Sequence, residues 1–129
     1  MKQSAKQLAD HIENWLTTGT IHSDILSPFF QFSSPFWKNA NKEQFLNKFK
    51  DPQEYIDTSL SKIKYFEPIK QYFSIGENDC HSGFSIALRY HTKNGSSVDE
   101  VVVCTVKNEQ IDSMLSIYDL NTTKHALEL

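Results

Sequence analysis

The stretch that most constrains this chain runs from Gly83 to Leu120. It contains three runs rich in β-branched and aromatic residues, separated by two short polar breaks at Asn94-Gly95 and at 107–110. Runs of this length with such breaks are typical of an antiparallel meander. The stretch therefore predicts three long strands of one sheet, and the rest of the chain has to close over that sheet.

The first polar break predicts how the first two strands pair. Asn94-Gly95 is a strong signal for a two-residue type I′ loop, because both central positions of that turn need a positive φ. A two-residue loop at this point places Arg89 opposite Glu100 and Ile86 opposite Val103.

A second two-residue loop, at Asn108-Glu109, places Val103 opposite Met114. Because side chains alternate along a strand, the two registers sort them onto two faces. The face that we expect to look inward is apolar and aromatic in its middle and carries Phe84, Ile86, Leu88, Tyr90, Asp99, Val101, Val103, Met114, Ser116 and Tyr118. The other face is mixed and carries Arg89, Glu100, Val102, Cys104, Leu115 and Ile117.

Length and charge exclude several classes of protein. A chain of 129 residues predicts one domain, spanning 1–129. A net charge of -3 and the lack of a Lys/Arg run argue against nucleic acid and anionic membrane as partners. No stretch approaches the ~18 apolar residues of a membrane span. The first residues lack the apolar segment of a signal peptide, so we expect the cytoplasm, with Cys80 and Cys104 as free thiols.

The segments outside the meander predict helices and two further strands. Leu8, Ile12 and Trp15 recur at helical spacing, which predicts a helix over 4–18 that ends at Gly19. The other predicted elements are a short helix over 20–27, a strand over 29–34, a helix over 41–50 that restarts at Pro52 and runs to about 62, an edge strand over 64–75, and a turn over 76–79. Residues 121–129 are predicted to form a C-terminal tail.

This order of elements resembles the nuclear transport factor 2-like superfamily, whose relatives include ketosteroid isomerases, polyketide cyclases and SnoaL-like proteins. The residues that carry the resemblance are Trp15 to Gly19, Phe30 to Pro35, Asn108 to Ile111, and Tyr118-Asp119. The resemblance implies an α+β cone, in which a curved antiparallel sheet wraps around the N-terminal helices and encloses an apolar pocket. It also implies that the outer face of the sheet is a common dimer surface.

The catalytic pattern of ketosteroid isomerases does not carry over. Those enzymes use a tyrosine on the first helix, an aspartate base after the first strand and a protonated aspartate on the penultimate strand. The matching positions in this chain are Ile12, Ser34 and either Val102 or Val103. Steroid isomerisation by that constellation is therefore not expected.

Polar groups near the ends of the predicted inner face are the candidates for chemistry. Asp99 lies opposite Tyr118 in the predicted register, either as an acid or base beside an aromatic wall or as an exposed carboxylate. Arg89 and Glu100 form either an ordinary ion pair on the outer face or, if the sheet is reversed, a catalytic pair inside the cone. The predicted ligand-binding side chains are Trp15, Trp37, Tyr55, Ile86, Leu88, Tyr90, Val103, Met114 and Ser116.

No metal site and no cofactor are predicted, since the spacing of His22, His81 and His91 fits no ligand motif. We expect a homodimer, joined through the outer sheet face, that binds an apolar or aromatic small molecule. Acid–base chemistry of the isomerase, cyclase or hydratase type is the open extension of this prediction. The alternative is a non-enzymatic module for dimerisation or protein binding. A cavity of roughly 300 Å³ or more favours the ligand, and a filled cone favours the module.

Overall fold

A computed structural model describes residues 5–75 and 81–129. Its helices are α1 (Ala5–Thr18), α2 (Lys42–Lys48), α3 (Pro52–Thr58) and α4 (Leu120–Ala126). Its strands are β1 (Leu26–Ser33), β2 (Ala40–Asn41), β3 (Ile63–Ile75), β4 (His81–Thr92), β5 (Ser97–Lys107) and β6 (Gln110–Tyr118). Short 3₁₀ turns lie at Ser23–Ile25 and Leu60–Lys62. The predicted turn over 76–79, the start of the first helix at Ser4, and Cys80 lie outside the described residues.

The strands form one sheet in the order β2-β1-β6-β5-β4-β3. Strands β1 and β6 pair in parallel and the other neighbours pair antiparallel, so the prediction of a wholly antiparallel sheet is wrong at this one contact. Helix α1 lies against β3 and β4, and its apolar stripe of Leu8, Ile12 and Trp15 is buried. The predicted α+β cone, a curved sheet wrapped around the N-terminal helices, is confirmed.

Local sequence signals explain where the first helices begin and end. The backbone N–H of Gly19 donates to Trp15 O at 2.7 Å, and Gly19 has a φ of 81°, which ends α1 as predicted. Helix α2 begins with a capping box, in which Asn41 Oδ1 accepts from Gln44 N at 2.8 Å and Gln44 Oε1 accepts from Asn41 N at 2.9 Å. These contacts define the C-terminal end of α1 and the N-terminal end of α2.

Two predicted segments have a different structure. The helix expected over 20–27 is only the 3₁₀ turn, because Leu26 already pairs with Ile111 of β6 and the Ser27 hydroxyl donates to Asp112 Oδ1 at 2.9 Å. The C-terminal tail is instead helix α4, whose first turn is capped where Asp119 Oδ1 accepts from Thr122 N at 2.9 Å. Burial of apolar side chains at the end of α4 stabilises this helix against the rest of the domain.

The predicted loop between β4 and β5 is wrong by one residue. Thr92 N donates to Ser96 O at 2.9 Å and Gly95 N donates to Thr92 O at 3.1 Å, so the loop has three residues. Gly95 has a φ of 89°, whereas Asn94 does not take a positive φ. This is the three-residue hairpin in which a type I turn is followed by a left-handed glycine. Asn94 instead uses its side chain, which bonds to the Thr92 hydroxyl and donates to Ala126 O at 3.2 Å.

The loop between β5 and β6 is the predicted two-residue loop, with Asn108 and Glu109 at φ values of 52° and 66°. One feature was not predicted. Asp112 forms a bulge, because Val106 pairs with Ile111 while Thr105 already pairs with Ser113. The extra residue shifts the rest of β6 by one position against β5.

The two shifts act differently on the two strands. Strand β5 is turned over relative to the prediction, so that Glu100, Val102 and Cys104 face the interior and Asp99, Val101 and Val103 face outward. On β6 the bulge compensates for the one-residue shift of β5. Met114, Ser116 and Tyr118 therefore face inward as predicted. The inward face of β4, with Phe84, Ile86, Leu88 and Tyr90, is also as predicted.

Candidate functional site

A cavity of about 610 Å³ lies between the sheet and the helices that cover it. Helix α1 contributes Trp15 and Leu16 to its wall, and α4 with the residues after it contributes Thr123 and Leu127. Phe36, which is 51% exposed, marks the point where the cavity opens to solvent. The volume is well above the roughly 300 Å³ at which a small molecule can be enclosed.

Aromatic side chains form much of the cavity wall, and they are held by one another. The ring of Trp15 lies 5.1 Å from that of Phe49 in an edge-to-face arrangement, and 6.5 Å from that of Phe32. The ring of Phe36 lies 6.1 Å from that of Tyr118 on the outer side. Aromatic pairs of this kind contribute more stabilising free energy than the burial of their surface area alone. The aromatic side chains of the wall are therefore packed against one another.

Tyr55 reaches the cavity because the end of α1 makes room for it. A Cβ atom at position 19 would lie only 2.9 Å from Tyr55 Cδ1, so the ring packs directly on the glycine. Its hydroxyl donates to Leu16 O at 3.1 Å, which joins α3 to the end of α1. Burial raises the pKa of Tyr55, and the nearby carboxylate of Glu100 raises it further. Tyr55 is therefore an uncharged part of the wall, and its hydrogen bond and its packing on Gly19 hold it in place.

Glu100 is the acidic side chain among the described residues that line the cavity. It extends inward from β5 between Leu88 of β4 and Tyr118 of β6. Burial raises the pKa of the Glu100 carboxyl to about 7, while a hydrogen bond from Ser116 acts in the opposite direction. A carboxyl with such a pKa exchanges protons readily at neutral pH, which makes it the candidate acid or base of this site.

Two further tyrosines surround this carboxyl. Burial is the main cause that raises the pKa of Tyr90 and of Tyr118, and the charge of Glu100 raises both further. Both tyrosines therefore stay protonated at neutral pH. The carboxyl, a serine hydroxyl and the phenols form a polar group on an otherwise apolar wall.

Most of the predicted ligand-binding residues lie on this cavity. The structure brings together Trp15, Trp37, Tyr55, Leu88, Tyr90, Ser116 and Tyr118. Ile86 and Met114 face inward but are 0% and 1% exposed in the core, where the cone is filled. Val103 faces outward because of the register shift on β5, so its placement on the pocket wall is wrong.

Asp99 does not lie beside Tyr118, because the register that placed it on the inner face is wrong. It pairs with Arg89 on the outer face, where Arg89 Nε donates to Asp99 Oδ1 at 2.7 Å. The guanidinium holds the pKa of the Asp99 carboxyl below its usual value. Neither alternative for Arg89 and Glu100 holds, since the two side chains leave the sheet on opposite faces.

Glu100 lies on the inner face of the sheet, whereas its predicted position is on the outer face. The available signal was the adjacent pair Asp99-Glu100, because one carboxylate of two neighbours on a strand always faces inward. The contribution of α4, which is capped by Asp119, is also absent from the prediction. Thr123 and Leu127 consequently join the wall from a segment that was predicted to be a tail.

Two negative observations concern the described residues. Within them, no group of three or more histidine, cysteine, aspartate or glutamate side chains is arranged to hold a metal ion. Among the helices of 5–75 and 81–129, none combines the length and apolar character needed to span a bilayer. Cys104 is a free thiol buried in the core, and burial raises its pKa.

Comparisons with known proteins identify the fold. No family model and no curated protein sequence matches the chain. Similar solved structures include an NTF2-like protein of unknown function from Cytophaga hutchinsonii, at 14% identity and a TM-score of 0.58, covering 94% of this chain and 95% of that one. Another is a hypothetical protein with a ketosteroid isomerase-like fold from Catenulispora acidiphila, in complex with trimethylamine, at 11% identity and a TM-score of 0.61, covering 98% and 95%.

A third similar structure is a de novo designed protein with a curved β-sheet, at 15% identity and a TM-score of 0.56, covering 98% of this chain and 96% of that one. The chain therefore has the nuclear transport factor 2-like fold, as its sequence predicted. Natural and designed chains share this architecture, so the fold alone does not define a function.

Proposed function

We propose that the cavity binds an apolar or aromatic small molecule and that Glu100 is its polar anchor. The observation that carries this proposal is an aromatic cavity of about 610 Å³ with a single acidic side chain among the described residues that line it. An apolar wall with a few convergent polar groups is typical of ligand sites. The volume supports a ligand rather than a filled module, because it exceeds the roughly 300 Å³ at which the sequence analysis favours a ligand.

We further propose Glu100, rather than Asp99, as the group that gives or takes a proton if a reaction follows binding. Its carboxyl lines the cavity and has a pKa of about 7, where an acid–base group is most effective. Isomerisation, cyclisation and hydration all need such a group. The predicted pairing of Asp99 with Tyr118 has no support from the geometry, because the two side chains lie on opposite faces of the sheet.

Binding can be tested with the neutral fluorescent probe Nile red. We expect its emission to rise when it is titrated into the protein, because the cavity excludes water from the dye. The variant Ser116→Leu fills the cavity next to Glu100 and should weaken binding about tenfold or more. Ser85→Leu is the matched control, since Ser85 lies on the outer face opposite Val103. Equal titration curves for the two variants would contradict the proposal.

A second candidate function, a dimerisation module, is favoured by the outer face of the sheet. There Ile69, Leu115 and Ile117 are 64%, 45% and 51% exposed. A second copy of the chain carries the same apolar face, and a two-fold interface needs only that self-complementarity. We therefore propose a homodimer through this face, and we keep the cytoplasm as the predicted compartment.

The dimer can be tested by sedimentation velocity. Ile117→Lys should convert the dimer to a monomer, because it places a charge in the middle of the buried face, whereas Ile117→Val should not. A wild-type chain that sediments as a monomer at high micromolar concentration would remove this candidate. That result would leave the cavity proposal unaffected.

A further inference from the structure

We propose that the ligand of this cavity carries an organic cation, a protonated or quaternary amine attached to an apolar body. This inference rests on the proposed function and specifies its ligand class.

The charge inside the cavity is one-sided. Among the described residues of the wall, Glu100 is acidic and Lys48 is basic. The Lys48 side chain is 57% exposed, and its Nζ lies 3.8 Å from Glu54 Oε1, so its charge is directed to the rim. The other titratable side chains of the wall are Tyr55, Tyr90 and Tyr118, which are neutral. Among the described residues that line the cavity, no positively charged side chain is therefore directed at an ionised Glu100.

The hydrogen bonds that the wall offers do not replace that missing charge. The hydroxyl of Ser116 donates to the Glu100 carboxylate. The hydroxyl of Tyr55 is already used by the carbonyl of Leu16. A buried carboxylate without a cation carries a large desolvation penalty, which a positively charged ligand would offset.

The aromatic rings of the wall suit the same ligand. Tyr90 and Tyr118 are near enough to Glu100 for its charge to act on them, and Trp15 and Trp37 line the same cavity. The negative face of an aromatic ring attracts an ammonium group, and the attraction is strongest where water is excluded. A quaternary or protonated amine can thus use the carboxylate and the ring faces at once, while its apolar part fills the remaining volume.

The proton equilibrium of Glu100 is consistent with this. Without ligand, burial keeps its pKa near 7, because the apolar surroundings favour the neutral acid. A bound cation favours the ionised form and should lower the pKa of the Glu100 carboxyl, which then releases its proton. A neutral ligand should not lower this pKa.

The decisive experiment compares two probes of the same shape that differ in charge. Benzyltrimethylammonium is permanently cationic, and neopentylbenzene replaces its nitrogen by carbon. Both are titrated into the full chain at about pH 8, above the pKa of Glu100, and followed by tryptophan fluorescence or calorimetry. We expect the cation to bind about tenfold or more tightly than its neutral counterpart.

Two variants assign the effect to the carboxylate. Glu100→Gln keeps the shape of the side chain and should remove the preference for the cation, while its binding of neopentylbenzene shows that the cavity is still formed. Asp99→Asn is the matched control, because it removes the neighbouring outward-facing carboxylate, and it should keep the preference.

The outcomes separate this inference from the proposed function. If neopentylbenzene binds as tightly as the cation in the wild-type chain, the ligand is not a cation, and the apolar cavity still stands. If Glu100→Gln keeps the preference, the inference is overturned as well. If the cation does not bind at up to about 1 mM and neopentylbenzene does not bind up to its solubility limit in water, both the inference and the proposed binding function are contradicted.

Discussion

The two ends of the cone are built from the same strands but are filled differently. At the packed end, Phe84, Cys104 and Met114 belong to the same buried cluster as Leu8 and Ile12, and each of these side chains is at most 1% exposed. At the cavity end, the same strands present Leu88, Glu100 and Tyr118 to about 610 Å³ of open space. The packed end holds the fold together, which leaves the cavity end free to carry a carboxyl that a close-packed core would exclude.

The largest expected effect comes from the same substitution made at each end. Phe84→Ala should lower the free energy of unfolding by about 3–5 kcal/mol, because it leaves a cavity in a fully buried position. Phe36→Ala, at the half-exposed rim, should cost under about 1 kcal/mol. Urea unfolding of both variants measures the difference. Similar losses at the two sites would show that the ends do not differ in their contribution to stability.

The next effect is a dependence on pH that belongs to the cavity end. Because the folded pKa of Glu100 is about 7 and its ordinary value is 4.5, the folded state binds the extra proton between these values. The contribution of this group to the free energy of unfolding is fully present below pH 4.5 and is lost as the pH rises to about 7. The loss is roughly 3 kcal/mol, at about 1.4 kcal/mol per pKa unit.

Glu100→Gln removes this dependence. The variant should gain stability over the wild type as the pH rises from 4.5 to 7, and the gain should then level off. Urea unfolding at a series of pH values measures it. Parallel curves for wild type and variant would show that the carboxyl is not held in an apolar environment.

A smaller effect concerns the helix that closes the cavity. Asp119→Ala should cost about 1 kcal/mol, because it removes the cap of α4. Since α4 and the residues after it form part of the wall, binding of Nile red should weaken in the same variant. Asp119→Ser, which keeps a capping oxygen, is the control. An unchanged unfolding midpoint in Asp119→Ala would mean that packing alone holds this helix.

The smallest effect should come from Asp99→Asn, with a pH dependence of the opposite sign. Arg89 lowers the pKa of Asp99, so the pair stabilises the fold at neutral pH and loses its effect as the pH falls through that lowered pKa. The pair is exposed and therefore weak. Urea unfolding at neutral and acid pH should show a slight deficit that disappears in acid. A deficit that grows in acid would contradict this assignment.

The fold was predictable because its signals are local and redundant. The helical stripe of α1, the stop at Gly19, the edge position of β3 and the Asn108-Glu109 loop each need only a few neighbouring residues. The C-terminal helix was not predicted, because seven residues with one cap give a weak helical signal and burial supplies the rest.

The site was less predictable, because it depends on counting residues through two turns. Asn94 can adopt a left-handed or a right-handed backbone conformation. Here it is not left-handed, and its side chain accepts from the Thr92 hydroxyl and from Ser96 N and donates to Ala126 O, contacts that lie outside the turn signal itself. That choice moved the whole of β5 to the other face. The bulge at Asp112 then restored β6, so Ser116 and Tyr118 were placed correctly through two errors that cancel.

The three-residue loop at 93–95 has a consequence for how such a protein can diverge. Removing one residue there would turn β5 over, placing Asp99, Val101 and Val103 in the interior and Glu100 in the solvent. The same loop also holds the end of α4 through Asn94. A single codon deletion would therefore change the acidity and the closure of the binding chamber together, without substituting any side chain of the chain.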